Sequence, residues 1–185
     1  MAAKKLLINC NSLLQQTVSD KKKRTAYSKV LKSPSVRQEF GRRLVDVINE
    51  RTLSGKDKNN ERFKKYSDSY KRSLVFQIYK SGETVVNLRL TGEMLSSMEA
   101  KPKNSYDVEL FFIGESNNEK ATWHIEGTKN MPKRDFFGVS LDDQKKILKD
   151  VIKDFNDQTF DFEIAANEGF VHSTFDLIDI EDTGE

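Results

Sequence analysis

Between the pair Ser33-Pro34 and Gly55, the residues Val36, Phe40, Leu44, Val47 and Ile48 recur at spacings of three and four. That period puts one apolar face on a single long helix, and such a face must be covered by a second layer. Ser33 can accept the orphan amides at its start, Pro34 suits a first turn that needs no donor, and Gly55 can take the left-handed stop. Beyond the polar loop "GKDKNNE", Phe63, Tyr66, Tyr70, Ser73 and Gln77 share a helical face, with Leu74 and Ile78 alongside, which predicts a second helix to about Tyr79. The covering layer is read from two-residue periods. Val86, Leu88 and Leu90 alternate with Val85, Asn87 and Arg89, predicting a strand over 84–90. Val108, Leu110 and Phe112 alternate with Asp107, Glu109, Phe111 and Ile113, predicting a second, with one face fully buried and the other half buried.

"TGEMLSSM" reads as a short helix begun by Thr91, "ESNNE" as a turn, and "KATWHIEG" as one helical turn ended by Gly127. Ser140 with Asp143 three residues later opens a last helix that carries Ile147, Leu148, Val151, Ile152 and Phe155 on one side. The class is therefore α+β: a small, mainly antiparallel sheet packed against a few helices, with extended N- and C-terminal arms. In 185 residues this leaves room for one core domain, placed at 33–158, with a basic N-terminal extension at 1–32 and an acidic C-terminal arm at 159–185.

Charge divides the same way. Residues 159–185 hold eight acids and no Lys or Arg, so the rest of the chain carries 31 basic against 21 acidic residues. The run Lys21, Lys22, Lys23, Arg24 is read first as a solvated loop, and otherwise as a contact for nucleic acid. A lone cysteine, Cys10, excludes an intramolecular disulfide and fits a reducing compartment. The apolar run Leu6, Leu7, Ile8 is too short for a signal sequence and no segment reaches membrane-spanning length, so a soluble protein with no membrane partner is expected.

Catalytic chemistry finds little purchase. His124 and Glu126 stand two apart with no third ligand near them, and His172 lies in the acidic tail, so no metal site and no cofactor are expected. His124 is read as a structural or interface hydrogen-bonding residue. The sequence has no nucleophile elbow, no phosphate-cradling glycine loop and no dinucleotide fingerprint, and an enzyme is not expected. "NMPKRDFFGVS" has another logic. Pro132 stiffens an extended connector, Lys133 and Arg134 present charge, and Phe136 and Phe137 place a ring on each side of the chain. One ring locks the connector to the core; the other either faces a neighbour or also anchors the last helix.

Taken together, "YSDSYKRS" (66–73), "LRLTGEMLSSM" (88–98), "ATWHIEGT" (121–128) and "MPKRDFFGVSLDDQKKILKDVI" (131–152) resemble the Mu-type virion morphogenesis or tail-completion family of tailed bacteriophages. The positions that carry the resemblance are Thr91, Gly92, Leu95 and Ser97, then Ala121, His124 and Gly127, then Pro132, Arg134 and Phe136. It covers residues 36–155. Trp123, Ile125 and Asp135 depart from the family pattern, and neither terminal segment has a counterpart in it.

The resemblance implies a non-catalytic structural protein of the phage neck, a tail-completion or head-closure subunit that forms a homo-oligomeric ring where the DNA-filled capsid joins the tail. Its implied neighbours are the portal adaptor, the tail terminator or the tail tube, with genomic DNA passing through the lumen, where positive charge would contact phosphate non-specifically. Arg134, Lys133, Phe137 and His124 are the expected interface residues, with Arg134 meeting a carboxylate on a neighbouring subunit. In the acidic segment, Phe160, Phe162 and Ile164 alternate like an added strand, and with Phe175 they are expected to form an assembly arm. The reading from a different class is a basic nucleic-acid-binding module built on "KKKR" and the basic first helix.

Overall fold

A computed structural model describes residues 4–80 and 82–167, with side chains described to residue 156. Its centre is a three-stranded antiparallel sheet in the order β1-β3-β2, made of β1 (Lys5–Asn9), β2 (Met98–Pro102) and β3 (Asp107–Phe112). β3 is the strand expected over 107–113. Val108, Leu110 and Phe112 are buried on its inner face, while on the outer face Glu109 lies among Lys5, Lys101 and Lys103 at 3.6, 3.6 and 3.2 Å. The inner face is covered by α3 (Pro34–Leu53), the helix of the opening stripe, whose Val36, Phe40, Leu44 and Ile48 are all buried. Its stop is a Schellman turn: the Gly55 amide donates to the Thr52 carbonyl and the Lys56 amide to the Arg51 carbonyl, with Gly55 at φ +83°. Ser33 does not cap it by side chain. Its hydroxyl is paired with that of Ser35 at 2.8 Å, and only the Ser33 backbone serves the first turn.

The N-terminal extension expected at 1–32 is instead part of this core. β1 lies along β3 with Leu6 opposite Leu110 and Ile8 opposite Val108. Asn9 then turns the chain by accepting the Ser12 amide at 2.7 Å, which starts α1 (Cys10–Thr17). Cys10, Leu13 and Leu14 are buried, and burial pushes the Cys10 thiol up to about 12, so it packs as an apolar residue. The basic run is not a loop either. Asp20 caps α2 (Lys21–Leu31), and Lys21, Lys22 and Lys23 are exposed in its first turn.

Three further elements differ from expectation. The helix expected from 63 to 79 is two short ones, α4 (Asp68–Lys71) and α5 (Leu74–Lys80), because two serines interrupt it. Ser67 Oγ accepts the Tyr70 amide at 3.3 Å and Ser73 Oγ the Phe76 amide at 3.2 Å, each starting a new helix. In 84–90, Val86 and Leu88 are buried as expected and Val85 is exposed, but Leu90, expected on the face of Val86 and Leu88, is exposed too, and among the described residues the stretch pairs with no strand. Leu88 sits at φ +54°, which no strand allows. The expected turn "ESNNE" is the first part of α7 (Glu115–Glu126), which starts directly after Gly114, and Asn118 in it takes the Lys4 amide at 2.7 Å.

α6 (Glu93–Ser96) is the short helix expected in "TGEMLSSM", but the residue at its start is Gly92 at φ +93°, with the Thr91 hydroxyl accepting the Glu93 amide at 3.4 Å from just outside it. α8 (Leu141–Asn167) starts at the expected cap: Ser140 Oγ accepts the Asp143 amide at 3.1 Å and donates to the Asp143 carboxylate at 2.7 Å. Residues 1–152 form one compact unit, so the core begins ahead of residue 33 and ends before residue 158; residues 153–185 form the second. Within the second, Phe160, Phe162 and Ile164 are on the helical backbone of α8, not on a strand. Phe175 lies outside the described residues. No helix among the described residues is long and apolar enough to cross a membrane.

Candidate functional site

The connector from Gly127 to Ser140 is fixed at three points. Gly127 ends α7 at φ +78°, where an added Cβ would lie 2.9 Å from the Lys133 backbone nitrogen; the tight return of the chain needs a glycine. The Arg134 amide then donates to the His124 carbonyl at 2.7 Å, tying the connector to α7. Farther on, Arg51 from α3 donates through Nη2 to the carbonyls of Phe136 and Gly138 at 2.8 and 2.6 Å. Sequence reading passed over Arg51, although its place three residues after Ile48 puts an arginine on the apolar stripe, which is the signal for a buried guanidinium with a structural partner.

The two connector rings are buried to different degrees. Phe136 is fully buried, and Phe112 stands edge-on to it at 6.1 Å and against Phe137 at 5.0 Å. Phe137 is half-buried, with one side of its ring against Phe112 and Phe136. Lys133 is exposed and near Asp135 at 3.6 Å, an arrangement worth little energy.

Arg134 departs most from expectation. It is not displayed on the outer surface but is 4% exposed, with its guanidinium 5.3 Å from the centre of the Tyr66 ring. Nε and Nη2 both point to one oxygen, the Lys64 carbonyl, at 3.4 and 3.2 Å. No carboxylate among the described residues pairs with it. Burial lowers its pKa and the neighbouring Tyr66 and Tyr70 hydroxyls offset part of that; an arginine in such a place stays charged.

Arg134 lines a pocket of about 570 Å³. One wall is Tyr66 and Tyr70, which form a three-ring cluster with Phe76 at centroid distances of 5.2 to 5.5 Å. Leu88, Leu90 and Met94 supply a second wall, and Met131 and Pro132 a third. Around this apolar lining stand Lys64, Lys65, Lys80, Arg89 and Lys120, with Glu93 the one carboxylate among the lining residues. Lys120 reaches Glu93 at 3.4 Å, and Lys80 is neutralised by Glu83 at 2.6 Å. Lys64, Lys65, Arg89 and Arg134 have no carboxylate partner among the described residues, so the pocket is apolar inside, cationic at its rim, and built to favour an anion.

His124 also lines the pocket, and its Nδ1 is buried without a hydrogen-bond partner. Burial, and then the positive Arg134, push its pKa down to about 4. Neutral in the fold and ordinary when unfolded, it makes the unfolded chain bind more protons between pH 4 and 6.5. Its contribution is therefore complete above pH 6.5 and falls away as pH drops toward 4, by about 3 kcal/mol over the window at roughly 1.36 kcal/mol per unit. Urea unfolding at pH 4.5 and pH 7 measures this: the wild type should lose more stability on acidification than His124→Gln, because the carboxylates titrate in both. Parallel losses would show that His124 is not held neutral. Among the described residues no group of three or more His, Cys, Asp or Glu is placed to hold a metal.

Four sequence fragments that are far apart along the chain thus meet in one place. Tyr66, Ser67 and Tyr70 come from the first, Leu88 to Met94 from the second, His124 from the third, and Met131, Pro132 and Arg134 from the fourth. No protein-family model, no curated protein and no solved structure matches the chain.

Proposed function

We propose that this chain is a structural assembly protein of a tailed-phage neck, a ring subunit that completes or closes the junction between filled head and tail. The observation that supports this reading is the convergence just described: the four fragments that resemble the tail-completion family line a single cationic pocket around Arg134. A concave, mostly apolar pocket with a few convergent polar groups is the form a binding site takes.

A second feature agrees. On α5, Leu74, Val75, Ile78 and Tyr79 are 74, 45, 64 and 54% exposed, one continuous apolar face between pocket residues Tyr70 and Lys80. An isolated protein gains nothing from such a face, and an assembled one buries it. The carboxylate expected to meet Arg134 must then enter the pocket, since the guanidinium is not on the outer surface.

The nucleic-acid reading has one observation in its favour. Lys21, Lys22, Lys23 and Arg24 open α2, where positive charge opposes the helix dipole, and none has a carboxylate partner among the described residues. Particle localisation and DNA titration separate the two readings. A terminal tag on the chain should be imaged at the head-tail junction, and particles made without the chain should stop as filled heads and free tails. Steep salt-dependent DNA binding that is lost on replacing Lys21, Lys22 and Lys23 by Ala, with no signal at the neck, would replace the assembly reading by the second.

A further inference from the structure

The pocket's occupant has to satisfy three demands set by its walls. It must carry a carboxylate or other oxyanion to Arg134, whose five donors include only two engaged with the Lys64 carbonyl. It must offer apolar or aromatic side chains to Tyr70, Leu88 and Met131. It must also bring enough negative charge to meet Lys64, Lys65 and Arg89 at the rim. A free phosphate fails the second demand and an apolar helix fails the other two.

One stretch of this sequence meets all three. Phe175, Leu177, Ile178 and Ile180 are interleaved with Asp176 and Asp179 and followed by Glu181 and Asp182, with no Lys or Arg anywhere in 159–185. This segment lies outside the described residues, and its composition is the complement of the pocket: aromatic and aliphatic side chains set between carboxylates. A carboxylate within one residue of a ring suits a guanidinium stacked on a tyrosine, since the acid can pair with the arginine while the ring joins the aromatic wall.

We infer that the pocket of one copy receives the acidic segment 175–182 of a second copy, with Arg134 pairing one of its aspartates and Phe175 lying against the Tyr66–Tyr70 wall. The inference rests on the ring reading and supplies its subunit-to-subunit contact. A pocket and a tail on every chain form a heterologous, head-to-tail contact, and such contacts close into rings when the rotation per subunit allows.

Full-length variants test this by complementation in sedimentation velocity. The rim variant, Lys64→Glu with Lys65→Glu, changes two exposed side chains and should keep its fold. The tail variant is Asp176→Lys with Asp179→Lys. Each alone should self-associate about tenfold or more weakly than the wild type, because like charges now face each other across the contact. Mixed in equal amounts they should associate again, since the intact tail of the first can enter the intact pocket of the second, and the lysine-bearing tail of the second meets a glutamate rim on the first in place of a like charge. A fluorescent peptide of residues 168–185 should bind the full-length tail variant and should not bind the rim variant.

Wild-type association unchanged by either variant, or a mixture that stays monomeric, overturns the tail–pocket contact. So does a wild type that is monomeric at every concentration with its tail cross-linking only within its own chain. None of these results bears on whether the chain stands at the neck, which particle imaging decides separately.

Discussion

Phe136→Ala should lower the stability of the isolated protein by about 3–5 kcal/mol, the range for emptying a fully buried aromatic site. Phe136 has no exposed surface, and its ring is enclosed by Phe112 and Phe137 at 6.1 and 6.4 Å. The site cannot easily collapse, because its backbone is held on both sides. The Phe136 amide donates to the Arg134 carbonyl at 2.9 Å, and the Phe136 carbonyl accepts from Arg51 at 2.8 Å. The cavity therefore stays open. Since Arg134 is two residues away on the same turn, the loss should also loosen the pocket and weaken whatever anion it holds. Urea unfolding gives the first effect. For comparison, Lys133→Ala, at an exposed site one residue before Arg134, should stay within about 0.5 kcal/mol of wild type. A Phe136→Ala loss under about 1 kcal/mol would show that the ring does not fill the core as described.

Gly41→Val should cost roughly 3 kcal/mol, the upper part of the range for overpacking a filled core. Helix propensity argues the other way, since a glycine inside a helix is about 0.5–1 kcal/mol worse than alanine. Contact distances decide the sign. A Cβ at Gly41 would lie 2.5 Å from the Ala100 Cβ and 2.9 Å from the Val108 Cγ1, so α3 would have to lift from β2 and β3 together. Lifting it also stretches the bond from Gln38 to the Ala100 carbonyl, now 2.9 Å. Gly41→Ala should be destabilising to a smaller degree, and Ala100→Gly in that background should recover part of the loss. The coupling in this double-mutant cycle is the measurement. Gly41→Ala more stable than wild type would mean that propensity wins and that the helix does not approach the sheet so closely.

Elements written in short-range pattern were legible in the sequence. The stripe from Val36 to Ile48 with its Gly55 stop, the Ser140–Asp143 cap and the alternation of β3 are each set by residues within a turn or two of one another, and each stands where the pattern puts it. Patterns of the same kind failed where a competing local bond or a distant partner intervened. Ser67 and Ser73 divide one helical face into two helices, a competition visible only once their hydroxyls find the amides of Tyr70 and Phe76. The alternation read at 84–90 gives burial only at Val86 and Leu88 and no pairing among the described residues, because a strand also needs a free sheet edge at the right place, and that is a property of the whole fold. Conversely "KKLLIN" has too few residues to announce a strand, and becomes β1 because β3, a hundred residues later, offers its edge.

The candidate site follows the same division. Sequence alone placed Pro132, Arg134 and Phe136 on a stiff connector, named His124, and grouped four fragments as belonging together. It could not show that Arg134 is turned inward onto Tyr66, that Phe136 is fully buried while Phe137 is only half-buried beside it, or that Tyr70, Leu88 and Met131 wall one cavity. Side-chain chemistry is a local property and can be read from a list of residues. Which side chains share a cavity depends on contacts between residues far apart in sequence, and the burial of Arg134 against the Tyr66 ring exists only after those contacts have formed.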